Sequence, residues 1–193
     1  MNSKKLKNVS PLELSDAYSK ISRYFFAFPQ SAVGLNDLAA AVNSSKTTVK
    51  IAVLHLVKEG FLKKEEVGKT WRIYCNSKDP YMITRKIPYN LQLVYDSGII
   101  SAVYERVSNA KAIVLFGSYR WGVDAEKSDI DIAVEVIGNH DMQIEQLGII
   151  KQLGFRKDVP VNMHIFSRNK VDLNLFANIV NGIVLDGFLE VGI

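Results

Sequence analysis

Two aspartates at alternate positions of a predicted strand are the residues of this sequence best suited to chemistry. Asp129 and Asp131 lie in the stretch Ser-Asp-Ile-Asp-Ile at residues 128–132. Because side chains alternate along a strand, both carboxylates point to one face, where they repel each other and are costly to desolvate without a cation. Magnesium meets that need, since it prefers one or two carboxylates together with substrate phosphates.

A glycine and a serine at the end of the preceding apolar run predict the other half of the site. Residues 112–116, Ala-Ile-Val-Leu-Phe, are typical of a short buried strand that stops at Gly117-Ser118. Glycine lets the backbone approach a phosphate closely, and successive N–H groups with a hydroxyl can hold an anion. The alternative is a solvated strand edge behind an ordinary glycine turn, which Asp-x-Asp alone would favour.

The strand, the Gly-Ser pair, the ten residues from Tyr119 to Ser128 and the Asp-Ile-Asp-Ile alternation together resemble the signature of the DNA polymerase beta-like nucleotidyltransferase superfamily. The pattern is similar to that of the minimal nucleotidyltransferases of prokaryotes. The resemblance implies Mg²⁺ (or Mn²⁺) on Asp129 and Asp131, and a nucleoside triphosphate such as ATP as substrate. A nucleoside monophosphate would pass to an acceptor hydroxyl. The expected nucleotide-binding residues are Gly117, Ser118, Arg120, Gly122 and Ser128.

One departure from that family concerns its third carboxylate, which usually acts as base and as a ligand of a second metal. The matching word here is Val161-Asn162-Met163, so we expect Asn162 to complete the catalytic set with one neutral oxygen. His164 lies on the same predicted face, but imidazole is a poor magnesium ligand. The loss of charge would weaken a two-metal mechanism more than nucleotide binding. Trp121 also stands where relatives often have a basic residue.

The N-terminal part of the chain predicts three helices and a β-hairpin. Ser10-Pro11 predicts the first helix start, Ser45 caps the third helix, Gly60 ends it, and a hairpin turns at Val67-Gly68. This order resembles a winged helix-turn-helix over about residues 10–76. The predicted fold class is therefore α+β: a winged helix-turn-helix, then a small nucleotidyltransferase-type mixed β-sheet with flanking helices.

Charge is unevenly placed along the chain, which carries +4 overall. Residues 1–80 hold 13 Lys/Arg and 7 Asp/Glu, whereas residues 81–193 hold 11 and 13. A basic first half indicates an anionic partner, and the resemblance places the third helix in a DNA major groove. The expected DNA-binding residues are Ser45, Lys46, Thr47, Thr48, Lys50, Lys63, Lys64, Lys69 and Arg72. Winged helices also serve as protein-interaction modules, and Glu65-Glu66 would repel phosphates.

The predicted organisation is a first domain at 1–80, a linker and connecting helix at 81–108, and a nucleotidyltransferase-like domain at 109–193. Pro88 breaks the pattern, and Gly98 interrupts or kinks a helix over 90–108. After the motif strands we expect an amphipathic helix at 141–154. A strand at 159–166, a helix at 171–181 and a final strand at 182–185 follow.

Composition excludes several classes of protein. The chain has 48% hydrophobic and 23% charged residues, with no apolar run long enough to span a membrane and no signal-peptide core. The single cysteine, Cys75, cannot form an internal disulfide, so a reducing cytoplasm is the expected location. The three histidines show no zinc-ligand spacing.

Two rival functions stay open. The chain could be a DNA-binding regulator whose nucleotidyltransferase-like part is a nucleotide sensor or is catalytically weak, which Asn162 favours. Family resemblance also implies an antitoxin-type protein that modifies or masks a small helical protein partner. A homodimer is left open, and no membrane partner is expected.

Overall fold

The computed structural model describes residues 16–190, which form two β-sheets with their own helices. The first sheet has the order β1-β3-β2 and is antiparallel throughout. The first sheet and its helices consist of α1 (Asp16–Ala27), β1 (Ala32–Gly34), α2 (Leu35–Ala41), α3 (Lys46–Lys58), β2 (Leu62–Val67) and β3 (Thr70–Cys75). The predicted start of α1 at Ser10-Pro11 lies outside the described residues.

Local signals explain where these elements begin and end. The Ser45 hydroxyl accepts a hydrogen bond from the Thr48 backbone N–H at 3.1 Å, which confirms the predicted cap of α3. Gly60 follows α3 with φ 92°, a conformation that suits glycine. The hairpin turn is Gly68-Lys69, one residue later than predicted, because Val67 pairs with Thr70. The short strand β1 was not predicted.

A second group of helices leads from β3 to the second sheet. These are α4 (Tyr81–Thr84), α5 (Lys86–Asp96) and α6 (Ile99–Arg106). Gly98, with φ 78°, separates α5 from α6, which confirms the predicted interruption. The prediction that Pro88 breaks the pattern is wrong, because Pro88 lies in the first turn of α5, where its missing N–H removes no helical hydrogen bond.

The second sheet has five strands in the order β6-β7-β5-β4-β8. Strands β5 and β7 are parallel and the other neighbours are antiparallel, as the predicted mixed sheet requires. Its elements are β4 (Ala110–Phe116), α7 (Gly117–Trp121), β5 (Ile130–Val136), β6 (Gln143–Leu153), β7 (Arg156–Phe166), α8 (Leu173–Val180) and β8 (Ile183–Gly187). The α+β class agrees with this topology.

The predicted amphipathic helix at 141–154 is wrong, because residues 143–153 form strand β6. Apolar residues recur there every three positions, a spacing that also occurs along one face of a helix. Gln146 pairs with Asn162 and Gly148 with Val161, so Leu147 is an extra residue that shifts the alternation of faces. Gly154, with φ 57°, makes the tight turn into β7, a hairpin signal that the helical spacing obscured.

Aromatic side chains join the two parts of the molecule. Tyr24 of α1 meets Phe155 of the β6–β7 turn with ring centroids 5.7 Å apart, and Phe26 meets Tyr89 of α5 at 6.0 Å. Both contacts belong to the buried core beneath the first sheet. Within residues 16–190, no helix has the length and apolar character needed to cross a membrane.

The β6–β7 hairpin predicts different effects for two glycine substitutions. An added Cβ at Gly154 would collide with the Tyr89 hydroxyl on a left-handed backbone, whereas at Gly148 it would meet no described atom within 4 Å. Gly154→Ala should therefore lower the free energy of unfolding by about 2 kcal/mol. Gly148→Ala should leave it unchanged or raise it by up to about 1 kcal/mol. Urea unfolding measures both, and equal effects would contradict the hairpin turn.

Candidate active site

The two aspartates lie at the start of β5 and share one face of the sheet. Asp129 precedes the strand and Asp131 is its second residue. The Asn162 amide donates to Asp129 Oδ2 at 2.5 Å, and His164 Nε2 lies 3.3 Å from Asp131 Oδ1. Both partners come from β7, whose parallel pairing sets Asn162 beside Asp131. The two carboxylates are half-buried, so each keeps access to solvent and to a ligand.

The Gly-Ser pair meets this face directly. Phe116, the last residue of β4, pairs with Asp131, and Gly117 then begins the short helix α7. Gly117 has φ 69°, and an added Cβ there would lie 2.6 Å from Asp131 Oδ2. Glycine is therefore required twice, by the backbone conformation and by the close approach of the carboxylate. The two halves of the site predicted from sequence are in contact.

Asn162 and His164 hold the carboxylates without adding negative charge. The Asn162 amide nitrogen is directed at Asp129, so in this structure Asn162 supports that carboxylate, and its expected place in the catalytic set stays a prediction. The His164 ring also packs edge-on against Phe116, with centroids 4.9 Å apart. Its Nδ1 atom is buried and has no hydrogen-bond partner among the described residues.

The site suits a hard divalent cation that takes most of its ligands from elsewhere. Within the described part of the chain, no group of three or more His, Cys, Asp and Glu side chains is arranged to hold a metal ion. Two half-buried carboxylates facing the same way nevertheless match magnesium, which commonly uses one or two carboxylates, water and substrate phosphates. Asp129 and Asp131 are the residues that would hold it.

The other predicted nucleotide-binding residues make contacts within the loop and with neighbouring elements. Arg120 Nε donates to the Asn181 carbonyl oxygen at 2.9 Å, and its guanidinium lies 4.2 Å from the Trp121 ring centroid. Ser128 Oγ accepts from the Ala125 N–H at 2.9 Å. Gly122 approaches α4 so closely that an added Cβ would lie 2.6 Å from the Met82 carbonyl oxygen. These contacts give Ser128 and Gly122 structural roles; their nucleotide contacts stay predictions.

One buried charge on the same sheet face was not predicted from sequence. Glu135 is four residues beyond Asp131 in β5, and only 3% of its surface is exposed. Arg168 Nε donates to Glu135 Oε1 at 3.0 Å, so this carboxylate is neutralised within the protein. The sequence contained a signal for this placement, because every second residue of a strand lies on the same face and residues 129, 131, 133 and 135 therefore share one.

A separate basic groove is lined by some of the residues that were predicted to bind DNA. It has a volume of about 660 Å³ between the start of α3 and the first sheet, and it is lined by Lys46, Lys50, Lys69 and Arg72 around Trp71. Lys50 Nζ and Lys64 Nζ lie 5.6 and 4.7 Å from the Trp71 ring centroid. Asp37 adds one acidic side chain to the lining.

The remaining members of that set are less uniform. Lys63 points to the opposite face of the hairpin from Lys64, because neighbouring strand residues alternate. Two carboxylates reduce the positive charge: Arg72 lies 3.4 Å from Glu65, and Lys64 lies 2.9 Å from Glu66. At the start of α3, Ser45, Thr47 and Thr48 are exposed.

Comparison with known proteins addresses the second sheet. Residues 97–184 match a family model described as a nucleotidyltransferase domain. The match supports a nucleotidyltransferase domain in this part of the chain, and it includes Gly117, Asp129, Asp131 and Asn162. It starts at residue 97, so α6 belongs to the matched segment. No curated protein matches the chain.

The close approach of Gly117 to Asp131 predicts a specific loss on adding a methyl group. Gly117→Ala should displace the Asp131 carboxylate and weaken Mn²⁺ binding at least about tenfold, since a clash and a left-handed backbone coincide. Gly68→Ala is the matched control, because Gly68 has φ 62° but an added Cβ would meet no described atom within 4 Å. Calorimetric titration with Mn²⁺ measures both, and equal affinities in the two variants would contradict this geometry.

Proposed function

We propose that the second sheet binds a nucleoside triphosphate with a divalent cation and transfers a nucleoside monophosphate to an acceptor hydroxyl. The observation that carries this proposal is the meeting of Asp129, Asp131 and Gly117 on one sheet face. The family match to a nucleotidyltransferase domain over this segment supports it. Two carboxylates beside a glycine corner would place a cation next to a position that suits a phosphate, which is what a triphosphate bound with magnesium requires.

The residues of the chain would act by positioning and by electrostatics. Asp129 and Asp131 would hold the magnesium ion, while Gly117 and Ser118 would hold phosphate oxygens. The acceptor oxygen would form a bond to the α-phosphorus as the bond to the pyrophosphate oxygen breaks, and the hydroxyl proton would pass to water. A bound cation would neutralise the negative charge that the phosphates carry.

Asn162 favours a second candidate, a nucleotide-binding regulator or antitoxin-type protein with weak catalysis. The amide donates to Asp129 and supplies neither a base for the incoming hydroxyl nor the negative charge that a second cation needs. Nucleotide binding would survive this change better than turnover. The two candidates therefore differ in turnover, not in the location of the ligand.

Removal of either carboxylate should abolish metal-dependent nucleotidyl transfer. Asp129→Asn and Asp131→Asn should each lower the rate by at least about 10²-fold, because the cation site loses half its charge. Asp141→Asn is the matched control, since that carboxylate is 89% exposed and pairs with Lys170. Incubation with α-labelled triphosphates, Mg²⁺ and protein, DNA or RNA acceptors measures transfer. Binding without transfer in the unmodified protein would select the regulator.

For the first sheet, we infer a winged helix-turn-helix that binds DNA. The order of helices and strands and the basic groove beside the exposed start of α3 support this assignment. Lys46 and Lys50 project from α3 while Lys69 projects from the hairpin turn, so phosphate contacts could come from two elements at once. Trp71 holds Lys50 and Lys64 by cation–π contacts and orients them.

DNA binding should depend steeply on salt. For a protein that neutralises several phosphates, the logarithm of the binding constant falls linearly with the logarithm of the salt concentration. Each lysine removed should lower the magnitude of that slope by about 1. Lys46→Gln and Lys50→Gln should do so on a mixed-sequence duplex. Lys151→Gln, whose side chain is 84% exposed on β6, is the control and should leave the slope unchanged. Band-shift titration measures this, and a flat dependence in the unmodified protein would overturn the assignment.

A further inference from the structure

A buried cluster of charged and polar side chains lies behind the loop that connects the Gly-Ser pair to Asp129. Lys86 is fully buried, Asp124 is 2% exposed and Arg156 is 5% exposed. Burying a charge costs free energy unless the charge is paired and hydrogen-bonded, so buried charges are not expected behind an ordinary surface loop. The members are Lys86, Asn90, Tyr119, Asp124 and Arg156.

Arg156 directs its nitrogen atoms at this loop. It stands at the start of β7, directly after the hairpin turn. Its Nη2 donates to the carbonyl oxygen of Ser128, the residue before Asp129. Its Nε donates to the Glu126 carbonyl oxygen at 3.1 Å. Nη1 donates to the Tyr119 hydroxyl at 2.5 Å. One planar guanidinium therefore ties both ends of the loop in a fixed arrangement.

Lys86 and Asn90 hold the middle of the loop from the side of α5. Lys86 Nζ donates to the Asp124 carbonyl oxygen at 2.5 Å and lies 3.2 Å from Asp124 Oδ1. The Asn90 amide donates to Asp124 Oδ1 at 2.6 Å and to the Tyr119 carbonyl oxygen at 3.3 Å. The loop is thus bound to two different elements, α5 and β7.

These charges are not explained by stability alone. Burial lowers the pKa of Lys86 and raises that of Asp124, and each residue opposes the change in the other. A buried ion pair typically adds little stability over apolar residues of similar volume. What it supplies here is geometry, because hydrogen bonds to carbonyl oxygens fix the backbone where apolar packing would not.

We propose that Arg156 is a positioning residue for the cation site: through the Ser128 carbonyl it holds the backbone that carries Asp129 beside Asp131. Lys86 and Asn90 keep the Asp124 turn in place, so that Arg156 meets a loop of defined shape. The proposal rests on the function proposed above, since it concerns the same two carboxylates. The proposal also gives the β6–β7 hairpin a role, because the hairpin places Arg156 beside the loop.

The test uses Mn²⁺ alone as the probe and Arg156→Met as the variant. Methionine is a long side chain that has no hydrogen-bond donors, so it removes the contacts to the loop. Electron paramagnetic resonance gives both the dissociation constant and the number of sites per chain. We expect the dissociation constant to rise at least about tenfold with the number of sites unchanged. Partial unfolding would instead lower the number of sites at an unchanged dissociation constant.

Three further variants complete the experiment. Arg106→Met is the matched control, since that arginine is 66% exposed and pairs with Glu145 of β6; it should change neither quantity. Arg156→Lys, which keeps the positive charge and a single donor nitrogen, should recover part of the affinity. Asp129→Asn shows whether Mn²⁺ binds at the two aspartates, because the affinity for Mn²⁺ should fall in that variant as well.

The outcomes separate this inference from the proposed function. Unmodified protein that binds no Mn²⁺, or binds it equally after Asp129→Asn, would overturn the proposed cation site and with it the role of Arg156. Normal binding by the unmodified protein together with an unchanged dissociation constant in Arg156→Met would overturn the positioning role alone. A lower number of sites at unchanged affinity would also overturn it, since Arg156 would then serve only the fold.

Discussion

The repulsion between two half-buried carboxylates is the constraint around which the second sheet is built. Asp129 and Asp131 face the same way because they alternate on one strand, and each is held by a donor from the neighbouring strand β7. A third contact comes from Gly117, whose lack of a side chain lets the end of β4 approach Asp131. Groups from β5, from β7 and from the end of β4 thus meet at one pair of carboxylates.

The same constraint explains the unusual loop between Gly117 and Asp129. A carboxylate pair that must face a common ligand cannot be carried by a backbone that moves freely, because its mutual repulsion would drive the two groups apart. The buried guanidinium of Arg156 and the ammonium of Lys86 remove that freedom through carbonyl oxygens.

The two sheets divide the charge of the molecule between them. The groove beside Trp71 is basic, and the face that carries Asp129 and Asp131 is acidic, so they favour ligands of opposite charge. Aromatic contacts between α1, α5 and the β6–β7 turn connect the parts that bear them. A polymer of phosphates at one surface and a cation with a triphosphate at the other are compatible with a single chain.

Local patterns predicted those parts whose cause is local. The cap at Ser45, the break at Gly98, the strand that starts near Asp129 and the shared face of Asp129 and Asp131 all follow from neighbours a few residues away. The helix predicted at 141–154 failed because apolar residues recur every three positions there, as on a helix, and the bulge at Leu147 interrupts the two-residue alternation that would have indicated a strand. No window of sequence reveals a bulge, since its position is decided by the partner strand.

The sequence by itself determined the chemistry: two acids on alternate positions, a glycine corner before them, and an amide where a third acid would stand. The first two features follow from residue type and from the two-residue period of a strand, and the third is what the family resemblance implies for Asn162. Only the tertiary structure decided what holds them. Arg156, Asn162 and His164 reach the site because β7 pairs with β5 and with β6, and long-range contacts of that kind depend on the whole sheet, not on any local pattern.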